Sequence, residues 1–239
     1  MPHLYRPESD KQRIEALTEA KNKYDATSAS LRAFGTSTYL RLETFLPIYK
    51  DKLQQRGAAL SQQARVVATI KPKRRMLRLY IGHFIIGLDN AILRQELPAS
   101  DRAYYQLPTG SRALPKLTTD DDLLLWAKRA VDGENARIAT GGVALTNPTA
   151  TQVSDQLLDF RTLVNDLTTR KTAYDDAQEA VAALWPEADE LLKDIWDEVL
   201  FHFRKNDLPS LRRKAREWGL VYRNTKKAEE EDTEAPTAQ

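Results

Sequence analysis

The chain of 239 residues has no cysteine, which excludes disulfide bridges and thiolate chemistry. It has three histidines, too few for a His-rich metal site, and nine glycines, none in a complete phosphate-binding loop. The longest apolar run, residues 80–88, is interrupted by His83 and is too short to span a bilayer as a run. The first residues, Met1-Pro2-His3-Leu4-Tyr5-Arg6, hold no apolar signal core. These features lead us to expect a soluble, cytoplasmic protein with no membrane partner. The formal net charge is only +2, so any case for nucleic acid rests on local patches.

What is abundant is helix-forming. Apolar content is 41% and charged content 29%, rich in Ala, Leu, Glu, Lys, Arg and Gln. The expected fold is all-α: an elongated helical bundle of about six main helices with long, proline-kinked members. The apolar spacing places helices over 8–34, 39–70 and about 73–96, then 119–139 and 149 onward past Pro186. Thr119 with Asp122 reads as a capping pair, and Asn147-Pro148 as an N-cap followed by a first-turn proline. Gly57 lies on an apolar stripe, where a neighbouring helix has room to approach closely. His83 is expected to be partly buried.

The expected organisation is a flexible lead at 1–7, a helical half at 8–97 and a linker loop at 98–117. A second half at 118–206 follows, then a short basic helix and apolar foot at 207–223, and a disordered tail at 224–239. Tyr104 and Tyr105 suggest that the linker packs on a helix. A shift of 114 residues superposes Leu53 on Leu167, Arg56 on Arg170, Ala59 on Ala173 and Val67-Ala68 on Val181-Ala182. The same shift brings Pro72 onto Pro186, Leu77 onto Leu191 and Ile81 onto Ile195, giving eight identities over 29 positions. The halves therefore read as a doubled three-helix unit. Helical phase is held across Pro186, so each proline is expected to kink a near-continuous helix.

Charge differs between the two joints. Lys71, Lys73, Arg74, Arg75 and Arg78 surround Pro72, where cations at a helix start would oppose the dipole. Glu187, Asp189, Glu190, Asp194, Asp197 and Glu198 follow Pro186. We expect these patches to face each other, within one chain or between chains. A second basic stretch, 204–227, sets nine basic residues against two acidic ones, and Arg212, Arg213, Lys214 and Arg216 are its candidate nucleic-acid contacts.

The ladder Glu190, Asp194, Glu198 and His202 has a ligand-like spacing of four. It lacks the Glu-x-x-His pairing of di-metal bundles, so a solvated or ion-paired face is preferred. Gly141-Gly142 reads as a helix stop. The four tryptophans read as core or interface anchors. No catalytic residues, metal ligands, cofactor or small-molecule substrate are inferred. The expected function is non-catalytic: a helical scaffold or assembly subunit, homo-oligomeric or bound to another protein, using coiled-coil-like helices. Nucleic-acid association through the basic C-terminal segment is the alternative.

Overall fold

A computed structural model describes residues 3–223. The protein is all-α, with six α-helices among those residues and one two-stranded bridge. Helix α1 spans Asp10–Asp25 and starts in a reciprocal box. Ser9 Oγ accepts from the Gln12 N–H, and Gln12 Oε1 accepts from the Ser9 N–H, both at 3.3 Å. The helix stops nine residues before the expected end at 34. Thr27 Oγ1 turns back to donate to the Lys23 carbonyl at 2.6 Å, and a 3₁₀ turn over Ala29–Leu31 follows.

Helix α2, Thr36–Leu93, runs through both Pro47 and Pro72, so at Pro72 the helix is continuous, in line with the near-continuous helix expected there. Each proline removes one N–H from the ladder. Both are exposed, as are Glu43 and Ala68, so the carbonyls four residues back can be hydrated. Helix α3, Asp120–Ala139, begins at the Thr119–Asp122 box, as its spacing predicts. Helix α4, Ala150–Ala182, starts two residues later than Pro148. Thr149 and Gln152 form its box, with Thr149 N–H to Gln152 Oε1 at 2.9 Å, while Asn147-Pro148 lies ahead of the helix.

Pro186 behaves differently from Pro72, against the expected near-continuous helix. Helix α4 ends at Ala182 and α5, Trp185–His202, begins afresh with Pro186 in its first turn. The Leu184 N–H is taken by Val181 and the Leu184 carbonyl by Ala188, so only two residues separate the helices. Helix α6, Leu208–Arg216, is capped by Asp207, whose carboxylate accepts from the Ser210 N–H at 3.1 Å. Part of the expected flexible lead is paired: β1, His3–Leu4, runs antiparallel to β2, Tyr222–Arg223. The Tyr5 N–H extends this pairing to the Val221 carbonyl at 2.8 Å. The expected tail, 224–239, lies outside the described residues.

The chain divides into two units: Met1–Gly57 with Asp176–Gln239, and Ala58–Asp175. The first unit buries Leu17, Tyr24, Leu42, Tyr49, Leu191, Ile195, Val199 and Trp218 in one core. Gly219, at φ +83°, lets the chain pass α1 so closely that a Cβ there would lie 2.4 Å from the Ala16 carbonyl oxygen.

The second unit buries Leu77, Ile81, Phe84, Leu88, Leu123, Ala127, Val153 and Phe160. Residues 98–117 belong wholly to it and contain a 3₁₀ helix, Ala99–Tyr105. They pack as a wall rather than link two halves, because Tyr105 and Leu107 are buried in that core. Shifted by 114 residues, Thr36 falls on Ala150 and Asp25 on Ala139, the first residue of α4 and the last of α3.

Candidate functional site

The basic cluster around Pro72 does not sit at a helix start, because α2 passes straight through it. Its cations oppose no dipole, and most have partners inside the second unit. Arg74 makes a two-point pair with Asp120, Nε to Oδ1 at 2.5 Å and Nη2 to Oδ2 at 2.7 Å. The Arg74 guanidinium holds the Asp120 carboxyl below its ordinary value. Lys73 pairs with Asp159 at 2.7 Å, and Arg78 Nε donates to the Leu117 carbonyl at 2.8 Å. Lys71 and Arg75 are exposed.

The acidic patch on α5 is likewise satisfied within its own unit. Asp189 pairs with Arg13, Asp194 with Arg41 at 2.7 Å, and Glu190 lies 3.8 Å from Arg41. Glu198 accepts from the Gly35 N–H and from Thr38 Oγ1, both at 2.5 Å. Glu187 and Asp197 point to solvent. The ion pairs given for the two patches thus run to partners within their own units. The same contacts occupy the ladder Glu190, Asp194 and Glu198. Among the described residues no three His, Asp or Glu side chains converge as metal ligands.

On α6, Arg213 and Arg216 are exposed and Arg212 is half-buried. Arg216 stacks over Tyr222, 5.7 Å from the ring centre. Lys214 is tied down, with Nζ donating to Asn206 Oδ1 at 2.9 Å beside the Phe203 ring.

Sequence reading missed a buried polar cluster in the second unit. Arg102, 2% exposed, pairs with Asp89 and donates Nε to the Pro108 carbonyl at 2.7 Å. Arg137 and Glu134 are both 1% exposed and pair with each other at 3.0 Å. Tyr105 donates its hydroxyl to Glu134. Burial, and then the Glu134 carboxylate, push the Tyr105 hydroxyl well above its ordinary value. Glu134 Oε1 also accepts the Leu145 N–H at 2.6 Å, and Arg137 Nη2 donates to the Val143 carbonyl at 2.6 Å. The cluster clamps the loops on either side of α3. An open cleft of about 820 Å³ lies beside it, with Arg94, Asp101, Tyr104 and Thr140 on its walls. The three-residue spacing of Glu134 and Arg137 was the one signal in sequence, and it looks like an ordinary surface pair.

The remaining feature is apolar. Met76, Leu79, Ile86 and Leu93 on α2 are 40%, 45%, 43% and 53% exposed. His83 lies among them and is exposed, not partly buried, because the helix turns its neighbours Phe84 and Ile85 into the core instead. With Leu114 from the loop, Met76, Leu79, His83 and Ile86 line a groove of about 490 Å³. Gly57, by contrast, has open space where a Cβ would stand. The short apolar run noted in the sequence understates α2. This is the one described helix long and apolar enough to cross a membrane by length and composition. Its Leu77, Ile81, Phe84 and Leu88 nevertheless belong to a protein core.

No known family, curated protein or solved structure matches this chain.

Proposed function

We propose that the protein is a non-catalytic helical scaffold that works by self-association. The observation that carries this reading is the row of exposed large apolar side chains on α2 beside a groove. Each such residue buried against a partner gains on the order of 1–2 kcal/mol, whereas in a monomer it stays wet. Charge supports the same reading, because most of the conspicuous ions are already paired inside the units and offer little to a charged substrate. Duplication of a helical unit belongs to this proposal too. The two sequence segments keep element boundaries in register at a shift of 114 residues. Sedimentation velocity from low to high micromolar protein tests the scaffold reading. Mass should rise with concentration, and a strict monomer throughout would overturn it.

A second reading, nucleic-acid association through α6, has one observation in its favour. Arg213 and Arg216 are exposed on a short helix. The same cations also stabilise the C-terminal end of α6 through its dipole, so they have a role without a ligand.

A further inference from the structure

We propose that the exposed face of α2 between Met76 and Leu93 is an antiparallel helix–helix interface with a second copy of this chain. The inference rests on the scaffold reading and names its partner and geometry. Residues 76, 79, 83, 86, 90 and 93 follow alternating steps of three and four. That is the 3.5-residue period of a coiled-coil seam, which suits a partner helix better than a flat lipid surface. All six side chains are exposed, so the seam is separate from the core stripe of Leu77, Ile81, Phe84, Ile85 and Leu88.

The chain supplies its own control for this face. A shift of 114 residues carries Met76, Leu79, His83 and Ile86 to Glu190, Lys193, Asp197 and Leu200 on α5. Leu77 and Ile81 meanwhile fall on Leu191 and Ile195, and all four of these are fully buried. Inward positions are therefore apolar on both helices. Outward positions are mostly charged on α5, as solvent favours, and mostly apolar on α2. The α2 pattern is that of a covered face.

Pairing favours a two-fold, antiparallel arrangement centred between Phe84 and Ile85. Met76 then meets Leu93 of the second copy, Leu79 meets Asn90, and His83 meets Ile86. Each polar seam residue faces an apolar one rather than its own like. Gly82 flanks the centre with open space where a Cβ would stand, which admits a second backbone. Arg75, exposed beside the seam, comes next to the C-terminal end of the other α2, the negative end of its dipole. A parallel pair would instead set Arg75 against Arg75 and His83 against His83. The contact extends for about 27 Å at the helical rise. That buries on the order of 1,000 Å², near the lower limit for a specific interface, so association in the micromolar range is expected.

Because the chain has no cysteine, engineered thiols report the geometry cleanly. Full-length Met76→Cys and Leu93→Cys proteins are oxidised separately and as a mixture. The mixture should give a disulfide-linked heterodimer, and neither variant alone should cross-link to itself. Leu79→Glu with Ile86→Glu should lower the dimer fraction at least tenfold while leaving helical circular dichroism unchanged, since both positions are exposed.

Self-cross-linking of either single variant overturns the antiparallel geometry. If the wild type dimerises but the mixed cysteine variants do not cross-link, or the dimer survives Leu79→Glu with Ile86→Glu, this interface is overturned and the scaffold reading stands. A wild-type monomer at all concentrations overturns both. Flotation of a monomer with phosphatidylcholine vesicles, lost in the Leu79→Glu, Ile86→Glu protein, would assign the face to a membrane and overturn the proposal.

Discussion

Arg13 on α1 and Asp189 on α5 form a two-point ion pair across 176 residues of chain, with Nε to Oδ1 at 2.7 Å and Nη2 to Oδ2 at 3.0 Å. The arginine side chain is 10% exposed and the aspartate 50%, so the two ends carry unequal risk. Removing the acid strands a largely buried guanidinium. Asp189→Ala should destabilise the protein by about 1–3 kcal/mol. Arg13→Met should cost less, because it leaves an aspartate that water can reach. Urea melts of the two variants check the order. Equal losses would mean that the pair behaves as an exposed one.

Asp10 gathers three donors from separate elements: Tyr49 Oη at 2.8 Å, Arg56 Nη1 at 2.7 Å and Trp185 Nε1 at 2.7 Å. Burial pushes its carboxyl up, but these donors together outweigh burial and hold it below the ordinary value. A depressed carboxyl contributes stability that is complete above its unfolded pKa, near 3.8. That contribution is lost as pH falls through the folded value. Asp10→Asn should therefore cost about 1–3 kcal/mol at neutral pH. The gap from wild type should narrow below about pH 4. Denaturant midpoints measured across that range decide it, and a gap that does not change with pH would contradict the assignment.

Gly133 stands in the middle of α3, where glycine is normally unfavourable. A Cβ there would lie 2.6 Å from the Tyr105 ring and 2.7 Å from the Tyr104 carbonyl oxygen. The 3₁₀ helix over Ala99–Tyr105 thus rests directly on the α3 backbone. Gly133→Ala gains helix propensity of about 1 kcal/mol, yet overpacking of this kind costs about 1–3 kcal/mol. The backbone carbonyl cannot rotate away as a side chain could, so we expect net destabilisation. Amide exchange should rise over 99–107 before it rises elsewhere. A more stable variant would show that the 3₁₀ helix shifts freely.

The capping boxes explain which features sequence discloses. Thr119 and Asp122 are three residues apart, and their interaction needs nothing beyond the local chain, so the start of α3 was legible. Helical phase held across Pro186 suggested a near-continuous helix there, yet α4 and α5 separate, because a proline breaks a helix or not according to where its freed carbonyl ends up, and that depends on tertiary exposure. His83 was misplaced because one apolar run, 80–88, contains both a core stripe and an outward seam. The 3.5-residue spacing of Met76 to Leu93 was present in the sequence. Only burial shows that Leu77 and Ile81 already serve the core, which leaves the other row without a partner. Charge complementarity was read across 114 residues between the basic and acidic patches, while Arg74 and Arg13 found Asp120 and Asp189 within their own units.

Helix α6 offers a direct contrast between two neighbouring cations. Lys214 Nζ is engaged by Asn206 and lies over Phe203, whereas Arg213 is exposed. If α6 contacts phosphates, Arg213→Gln should weaken binding to a single-stranded oligonucleotide uniformly across sequences. It should also reduce the slope of log affinity against log salt by about 0.7 per lost contact. Lys214→Gln should reduce that slope less, because its ammonium is held at Asn206 and Phe203. It should instead lower thermal stability by about 0.5–1.5 kcal/mol, through the loss of one hydrogen bond and a cation–π contact. Equal effects of the two variants on the slope would point to non-specific attraction by net charge. No measurable binding at low salt would remove the second reading altogether and leave the α2 face as the surface to explain.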